Sequence, residues 1–337
     1  MQHCDRSDYH LKGGLMMRKI LISLSVIAIL VSIPFGTQAE TIKPNFISIG
    51  TAPTGASFYP MGVAMAKIIK DFVPGLNSSA VPTGASKENI NLLIKHEAQL
   101  GFVASPTAYE ALKATGEYKE FSPAPIRVVL VGHMGPWTLV ARKDSGIKSY
   151  ADLKGKKIIA DMPRASANLN TMLTIAKAYG VERSDIDVLK LLSIKNAVQQ
   201  VKQGRADGVF YIVTPGSAVF VDLTRSIETS WPTVSDDVLA KILKEKPYYA
   251  KFKYPGGKFK GQTNPVQGVA GAILICTHKD MDEDTIYSIT KAFFEHTDIL
   301  KKAHPVGRQY TLKRAVSLRA VPFHPGAIRY YKEKGVW

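Results

Sequence analysis

Cysteine is almost absent from this chain: only Cys4 and Cys276 occur, far apart. Two such residues build no disulfide framework, and a buried core must hold the protein together instead. Acidic residues are scarce too, 28 against 44 lysines and arginines, for a net charge of +16. No apolar run after Ala39 approaches the roughly 20 residues of a membrane-spanning helix. Catalytic signatures are also missing. There is no G-x-S-x-G elbow, H-E-x-x-H pair, P-loop or G-x-G-x-x-G fingerprint. Ser145-Gly146-Ile147-Lys148 matches S-x-x-K, but its S-D-N and K-T-G companions are lacking and Asp144-Ser145-Gly146 reads as a turn. His96, His278, His296, His304 and His324 have no metal-ligand spacing. The chain is therefore expected to be a non-enzyme without metal or cofactor.

What is present begins with a leader. Arg18-Lys19 precedes an apolar run from Ile20 to Phe35, and Thr37-Gln38-Ala39 follows it. A basic segment, an apolar segment and small residues in that order describe a secretory signal peptide over residues 16–39. Residues 1–15 do not fit that pattern, and Met16 or Met17 offers a second start, so 1–15 are expected to be untranslated. The mature product, from Glu40 onward, is then soluble and periplasmic. Its lysines are scattered rather than arranged in a stripe with aromatics, which argues against nucleic acid. A diffuse positive field that draws small anions fits the charge, and so does plain solubility.

The mature chain alternates strands and helices. Phe46–Gly50 alternates as a strand, and Met65, Ile68, Ile69 and Phe72 follow at helical spacing until Pro74-Gly75. A strand at 79–81 leads to a helix with Ile90, Leu93 and Ile94 inward, and 100–104 is another strand. Residues 128–131 and 139–141 read as two strands separated by His133-Met134-Gly135-Pro136, and 253–264 as an irregular Gly/Lys-rich stretch. Strands are also expected at 157–160, 188–192, 209–213 and 269–276. The whole is α/β. One internal echo stands out: Glu97–Val103 and Arg205–Tyr211 each place a polar turn between a helix and an apolar strand.

Three loops put small and hydroxyl residues between a strand and a helix: Gly50–Tyr59, Pro82–Ser86 and Asp161–Asn168. Helix N-termini carry unpaired N–H groups and partial positive charge, so such loops suit carboxylate or phosphate, although ordinary N-capping explains any one Ser or Thr. Arg164 in the third loop could pair bidentately with a carboxylate, or face solvent at a rim.

The stretches IGTAPTGASFYPMGVAMA, PTGASKENINLL, AQLGFVAS, DSGIKSYADLKGKKI, AHPVGRQYTL and PFHPGAIRYYKEKG resemble the TAXI solute-binding proteins of tripartite ATP-independent periplasmic (TRAP) transporters. The resemblance runs from Phe46 to Gly335. It implies a type II periplasmic-binding-protein fold with two α/β lobes, residues 41–135 plus 268–337 and residues 136–267, and a solute cleft between them. It also implies a monomer that closes on a small organic acid or amino acid, a glutamate-like dicarboxylate favoured, and delivers it to an ion-driven TRAP permease.

By the resemblance, Thr54, Gly55, Ser57 and Tyr59 fall in the first ligand loop, with Ala52-Pro53 replacing the usual Gly-Gly. Thr83, Gly84, Ala85 and Ser86 fall in the second, and Ser105 follows a strand where a polar contact is expected. Arg164, Ala165 and Ser166 replace a G-S-G-T type run, and His133 stands where tyrosine is common, with Trp137 close behind. Tyr59, His133, Trp137, Phe210 and Tyr211 are candidates for apolar walls and equally for core. A periplasmic sensor module, or an enzyme on the same bilobal fold, are the alternative readings.

Overall fold

A computed structural model of the protein describes residues 41–337, apart from residues 55, 163–166, 215 and 216. The leader, Gly55, Arg164, Ala165 and Ser166 therefore lie outside the described residues. The first part of the chain runs β1 (Phe46–Gly50), α1 (Phe58–Phe72), β2 (Asn77–Val81), α2 (Ser86–Ile94), β3 (Leu100–Ala104) and α3 (Ser105–Lys113). β1 pairs in parallel with β2 on one side and β3 on the other. α1 forms because Met61, Met65, Ile68 and Ile69 fall on one face and are fully buried. It ends at Val73, before Pro74 and the left-handed Gly75.

Two expected core residues are not buried. Phe72 is 44% exposed and stacks on His296 at 3.5 Å, and Ile94 is 39% exposed. Each lies at the last position of its helix, where the final turn passes the edge of the core.

The middle of the chain repeats the plan. β4 (Ile126–Arg142) leads to β5 (Lys157–Asp161), α4 (Ala167–Ala178), β6 (Asp187–Lys190), α5 (Ile194–Lys202) and β7 (Gly208–Ile212). β5 pairs in parallel with β6 and β7, as β1 does with β2 and β3. The echo noted in the sequence marks the turns into β3 and β7, which hold equivalent places. Next come α6 (Ala218–Ser226), β8 (Thr229–Ser230), α7 (Asp236–Glu245) and β9 (Tyr249–Tyr254). The chain then returns through β10 (Val266–His278), α8 (Glu283–Glu295), α9 (Thr297–Ala303), α10 (Leu312–Ala315) and α11 (Pro325–Glu333). α11 carries Pro325 at its first turn.

One sheet order, β2-β1-β3-β10-β4-β7-β5-β6, links both parallel sets through the two longest strands, β4 and β10, which are antiparallel. The expected break at 133–136 is absent: β4 is continuous because it pairs with β10 up to Pro136 and with β7 from Trp137. Pro136, which has no N–H to donate, sits at that change of partner. The stretch expected to be irregular begins inside β9, which pairs with β10.

Burial explains why the middle strands read as continuous apolar runs. Leu139, Ile158 and Phe210 pack into one hydrophobic cluster, while their neighbours Val140, Ile159 and Val209 pack into another. Successive side chains of a strand point to opposite faces, so both faces of this parallel set are covered.

Candidate functional site

The loops singled out in the sequence all leave the carboxyl ends of parallel strands. Residues 51–57 follow β1, residues 82–85 follow β2, Ser105 follows β3 directly, and residues 162–166 follow β5. In open α/β sheets this end collects ligands.

In the first set, Asn89 of α2 ties the strand ends together. Its Nδ2 donates to the Thr51 carbonyl at 2.7 Å and the Phe102 carbonyl at 2.8 Å, and its Oδ1 accepts from Thr83 Oγ1 at 2.7 Å. Asn168 of α4 does the same work in the second set. Its Nδ2 donates to the Ala160 carbonyl at 2.6 Å and the Phe210 carbonyl at 2.8 Å. The β1–β3 and β5–β7 registers make these two carbonyl pairs equivalent. Here the symmetry ends: Asn168 Oδ1 is buried with no partner among the described residues. Neither asparagine was legible as a site residue. The available signal was a polar residue in the first turns of two helices, each following a small-residue loop.

The second loop is largely occupied by its own contacts. Thr83 Oγ1 also accepts from the Ala85 amide at 3.1 Å. The Ser86 hydroxyl accepts from the Ala104 amide at 3.0 Å, and the Gly84 amide donates to the Glu88 carboxylate at 2.7 Å. An internal acid thus sits at the helix end proposed for an external one. Ala85 adopts φ 74° and ψ −150°, a region that favours glycine and costs about 1–3 kcal/mol. Ser105 is fully buried. Its hydroxyl donates to the Tyr248 carbonyl at 2.8 Å and accepts from the Ala272 amide at 3.0 Å, which leaves it a structural pin between β3 and β10.

The first loop differs. Ser57 holds the N-cap position of α1, yet its side chain makes no capping bond. Its Oγ lies 3.3 Å from Nε2 of His133 instead, and Nδ1 of His133 lies 3.2 Å from the Tyr310 hydroxyl. A β-bulge produces this geometry. Met134 faces Ala272 and Val131 faces Leu274, so Gly132 and His133 together oppose Ile273 alone. Bulges of this kind re-aim a side chain. Phe58 packs edge-on against the imidazole, and Gln309 Oε1 accepts from the Met134 amide at 3.1 Å. Burial pushes His133 down to about 3, and the fields of His304 and Arg314 push the same way, so the ring is neutral. Arg314, half-buried, makes no ion pair among the described residues, and burial lowers it from its usual range. Arg314 is thus a basic residue whose field reaches this site, while Arg164 lies outside the described residues.

The remaining predicted residues divide by burial. Thr54 is exposed and Tyr59 half-buried. Trp137 is 3% exposed, edge-on to Tyr249, and its ring lies so close to Gly271 that a Cβ there would come within 2.5 Å. Phe210 is fully enclosed beside Tyr150; its carbonyl, not its ring, is used at the strand end. Tyr211 is half-buried and its phenol is raised by burial. Two surface grooves, of about 350 Å³ beside Val63 and Ser78 and about 440 Å³ beside Arg142 and Lys202, are lined by none of these loops. Among the described residues, no group of three or more His, Cys, Asp or Glu could hold a metal ion.

The chain is similar to several solved structures at low identity. XAC2383 from Xanthomonas citri, bound to chloride ion, is 12% identical with a TM-score of 0.51, covering 87% of this chain and 98% of that one. The periplasmic aliphatic sulphonate binding protein SsuA from Escherichia coli is 16% identical (87% and 89% covered, TM-score 0.46). An ABC uptake transporter substrate binding protein from Streptococcus pneumoniae, with bound histidine, is 15% identical (81% and 95% covered, TM-score 0.47). The fold is α/β, with two parallel strand sets joined through β4 and β10, and XAC2383 shares it. With the NMT1-like family model matching residues 49–335, from the first strand through the last helix, the chain belongs to the NMT1-like family.

Proposed function

We propose that this protein is an extracytoplasmic solute-binding receptor, which captures a small organic acid or amino acid between two lobes and delivers it to a membrane transporter. The observation that carries this reading is the Ser57 hydroxyl, released from capping and held by a buried neutral histidine at the strand ends. The family match and the positive net charge support it. Lobes of residues 41–135 plus 268–337 and of 136–267 are supported by the exchange of β10 for β7 along β4 between Pro136 and Trp137. The signal-like leader supports a periplasmic location, and among the described residues no helix is long and apolar enough to cross a membrane.

Ser57, Thr54 and Tyr59 are the ligand contacts we favour, with Arg164 on the opposite lobe. Thr83, Ser86, Ser105 and Phe210 have structural partners that account for them. The preference for a dicarboxylate, and delivery to a TRAP permease, rest on the six sequence blocks that resemble TAXI proteins.

A thermal-shift screen against L-glutamate, succinate, 2-oxoglutarate, methanesulfonate and L-histidine tests the solute class. Binding to the folded state alone raises the midpoint by RT ln(1 + [L]/Kd). Silence towards all acids with a response to a neutral compound would overturn the anionic assignment. With a responding acid in hand, Arg164→Ala is expected to weaken binding at least about tenfold. Uptake that needs ATP rather than an ion gradient would remove the TRAP assignment.

A further inference from the structure

The Tyr310 hydroxyl is almost completely buried, and His133 Nδ1 is its one hydrogen-bond partner among the described residues. A buried phenol O–H needs an acceptor, because leaving it unpaired costs about 1–3 kcal/mol. If Nδ1 carried the imidazole proton, the two donors would face each other or the phenol proton would have no acceptor. The arrangement that satisfies both groups has Tyr310 donating to a bare Nδ1 and the proton on Nε2. Nε2–H then donates to Ser57 Oγ, the only partner of that hydroxyl among the described residues. Ser57 has accepted one bond, so its own proton is free to be donated outward.

Three features indicate that this chain is built into the fold. The β-bulge at Gly132–His133 aims the imidazole between the two hydroxyls. Gly132 leaves room for Tyr310, since a Cβ there would lie 2.7 Å from the phenol oxygen. Among the described residues, the groups whose fields act on His133 are His304 and Arg314, both basic, so neither favours its imidazolium.

We infer that Tyr310, His133 and Ser57 form a one-way hydrogen-bond relay, which fixes Ser57 as a donor and so selects a solute that presents an acceptor oxygen of an acid group at this point. Tyr310 and His133 are positioning residues. Their effect reaches the solute through Ser57, and the solute half of the inference rests on the receptor reading above.

Long-range proton–nitrogen correlation of the imidazoles in ¹⁵N-labelled protein reads the tautomer without any ligand. The His133 signals are assigned by their loss in His133→Gln or, should that variant not fold, by their displacement in Ser57→Ala. An Nε2–H tautomer is expected from pH 8 to pH 5, and Tyr310→Phe is expected to shift it towards Nδ1–H. An Nδ1–H tautomer in the unmodified protein would overturn the relay. With succinate and L-glutamate as probes, Ser57→Ala and Tyr310→Phe are each expected to weaken binding about tenfold, and the double variant no more than Ser57→Ala alone. Additive losses would refute coupling through His133. An Nε2–H tautomer with no response to either probe upholds the relay and overturns only the acid-binding reading.

Discussion

The two parallel strand sets use the same device and finish it differently. Asn89 and Asn168 each clamp equivalent carbonyls of neighbouring strands, but Asn89 also accepts from Thr83, while Asn168 Oδ1 has no partner among the described residues. The first set closes its hydrogen bonds within its own loop. The second leaves a buried acceptor beside a loop that the sequence marks for ligand contact. Titratable imidazole is divided just as unevenly, since residues 136–267 contain no histidine. A shared scaffold thus places the same asparagine clamp in two different hydrogen-bond surroundings.

The largest expected effect comes from breaking the clamps themselves. Asn89→Ala removes three buried hydrogen bonds, leaving the Thr83 hydroxyl its bond to the Thr51 carbonyl at 3.0 Å, and is expected to cost about 2–4 kcal/mol in urea unfolding. Asn168→Ala removes two donated bonds to carbonyls together with an acceptor that has no partner among the described residues, so about 1–3 kcal/mol is expected. Equal losses would erase the difference between the sets.

Acid should act outside residues 136–267. His133 is lowered to about 3 and His324 to about 4, both chiefly by burial. Below the unfolded value of about 6.5 the unfolded chain binds protons that the folded chain refuses, so stability falls as pH drops towards those values. The slope reaches at most about 1.4 kcal/mol per pH unit for each histidine, and His133→Gln should flatten it. Glu110 opposes this trend. Its carboxyl is raised to about 6 by burial first and then by Glu117, so its contribution is lost as pH rises through 6. Unfolding midpoints between pH 4 and pH 8 measure the balance.

Gly132→Ala tests the β4 bulge that aims His133. A Cβ there meets the Tyr310 hydroxyl, and displacing that ring is expected to cost about 1–3 kcal/mol and to move the His133 imidazole signals. The smallest expected effect is a gain. Ala85→Gly relieves the positive φ and is expected to stabilise by about 1 kcal/mol on thermal unfolding, net of the entropy of the added glycine.

Much of the scaffold was legible because local chemistry decides it. Alternation in Phe46–Gly50, the apolar face of α1 and the stop at Pro74-Gly75 each depend on neighbours in sequence. The echo between the turns into β3 and β7 was legible for the same reason. Helix ends were read less well: Phe72 and Ile94 match the apolar period but lie where the core has run out. The break placed at 133–136 failed because Gly and Pro signal a turn only when no partner strand claims them, and β10 and β7 do.

The sequence by itself determined the alternation of strands and helices, the basic charge and the small-residue loops, since these follow from residue type and short spacing. Only the tertiary structure decided which of those hydroxyls remain available. Thr83, Ser86 and Ser105 look like Ser57 in sequence, but Asn89, the Ala104 amide and the Tyr248 carbonyl engage them from 6, 18 and 143 residues away. Ser57 meets His133 and, through it, Tyr310, 76 and then 177 residues further along the chain. A hydrogen bond is set by distance and direction in space, and contacts over such separations exist only once the sheet has brought the strand ends together.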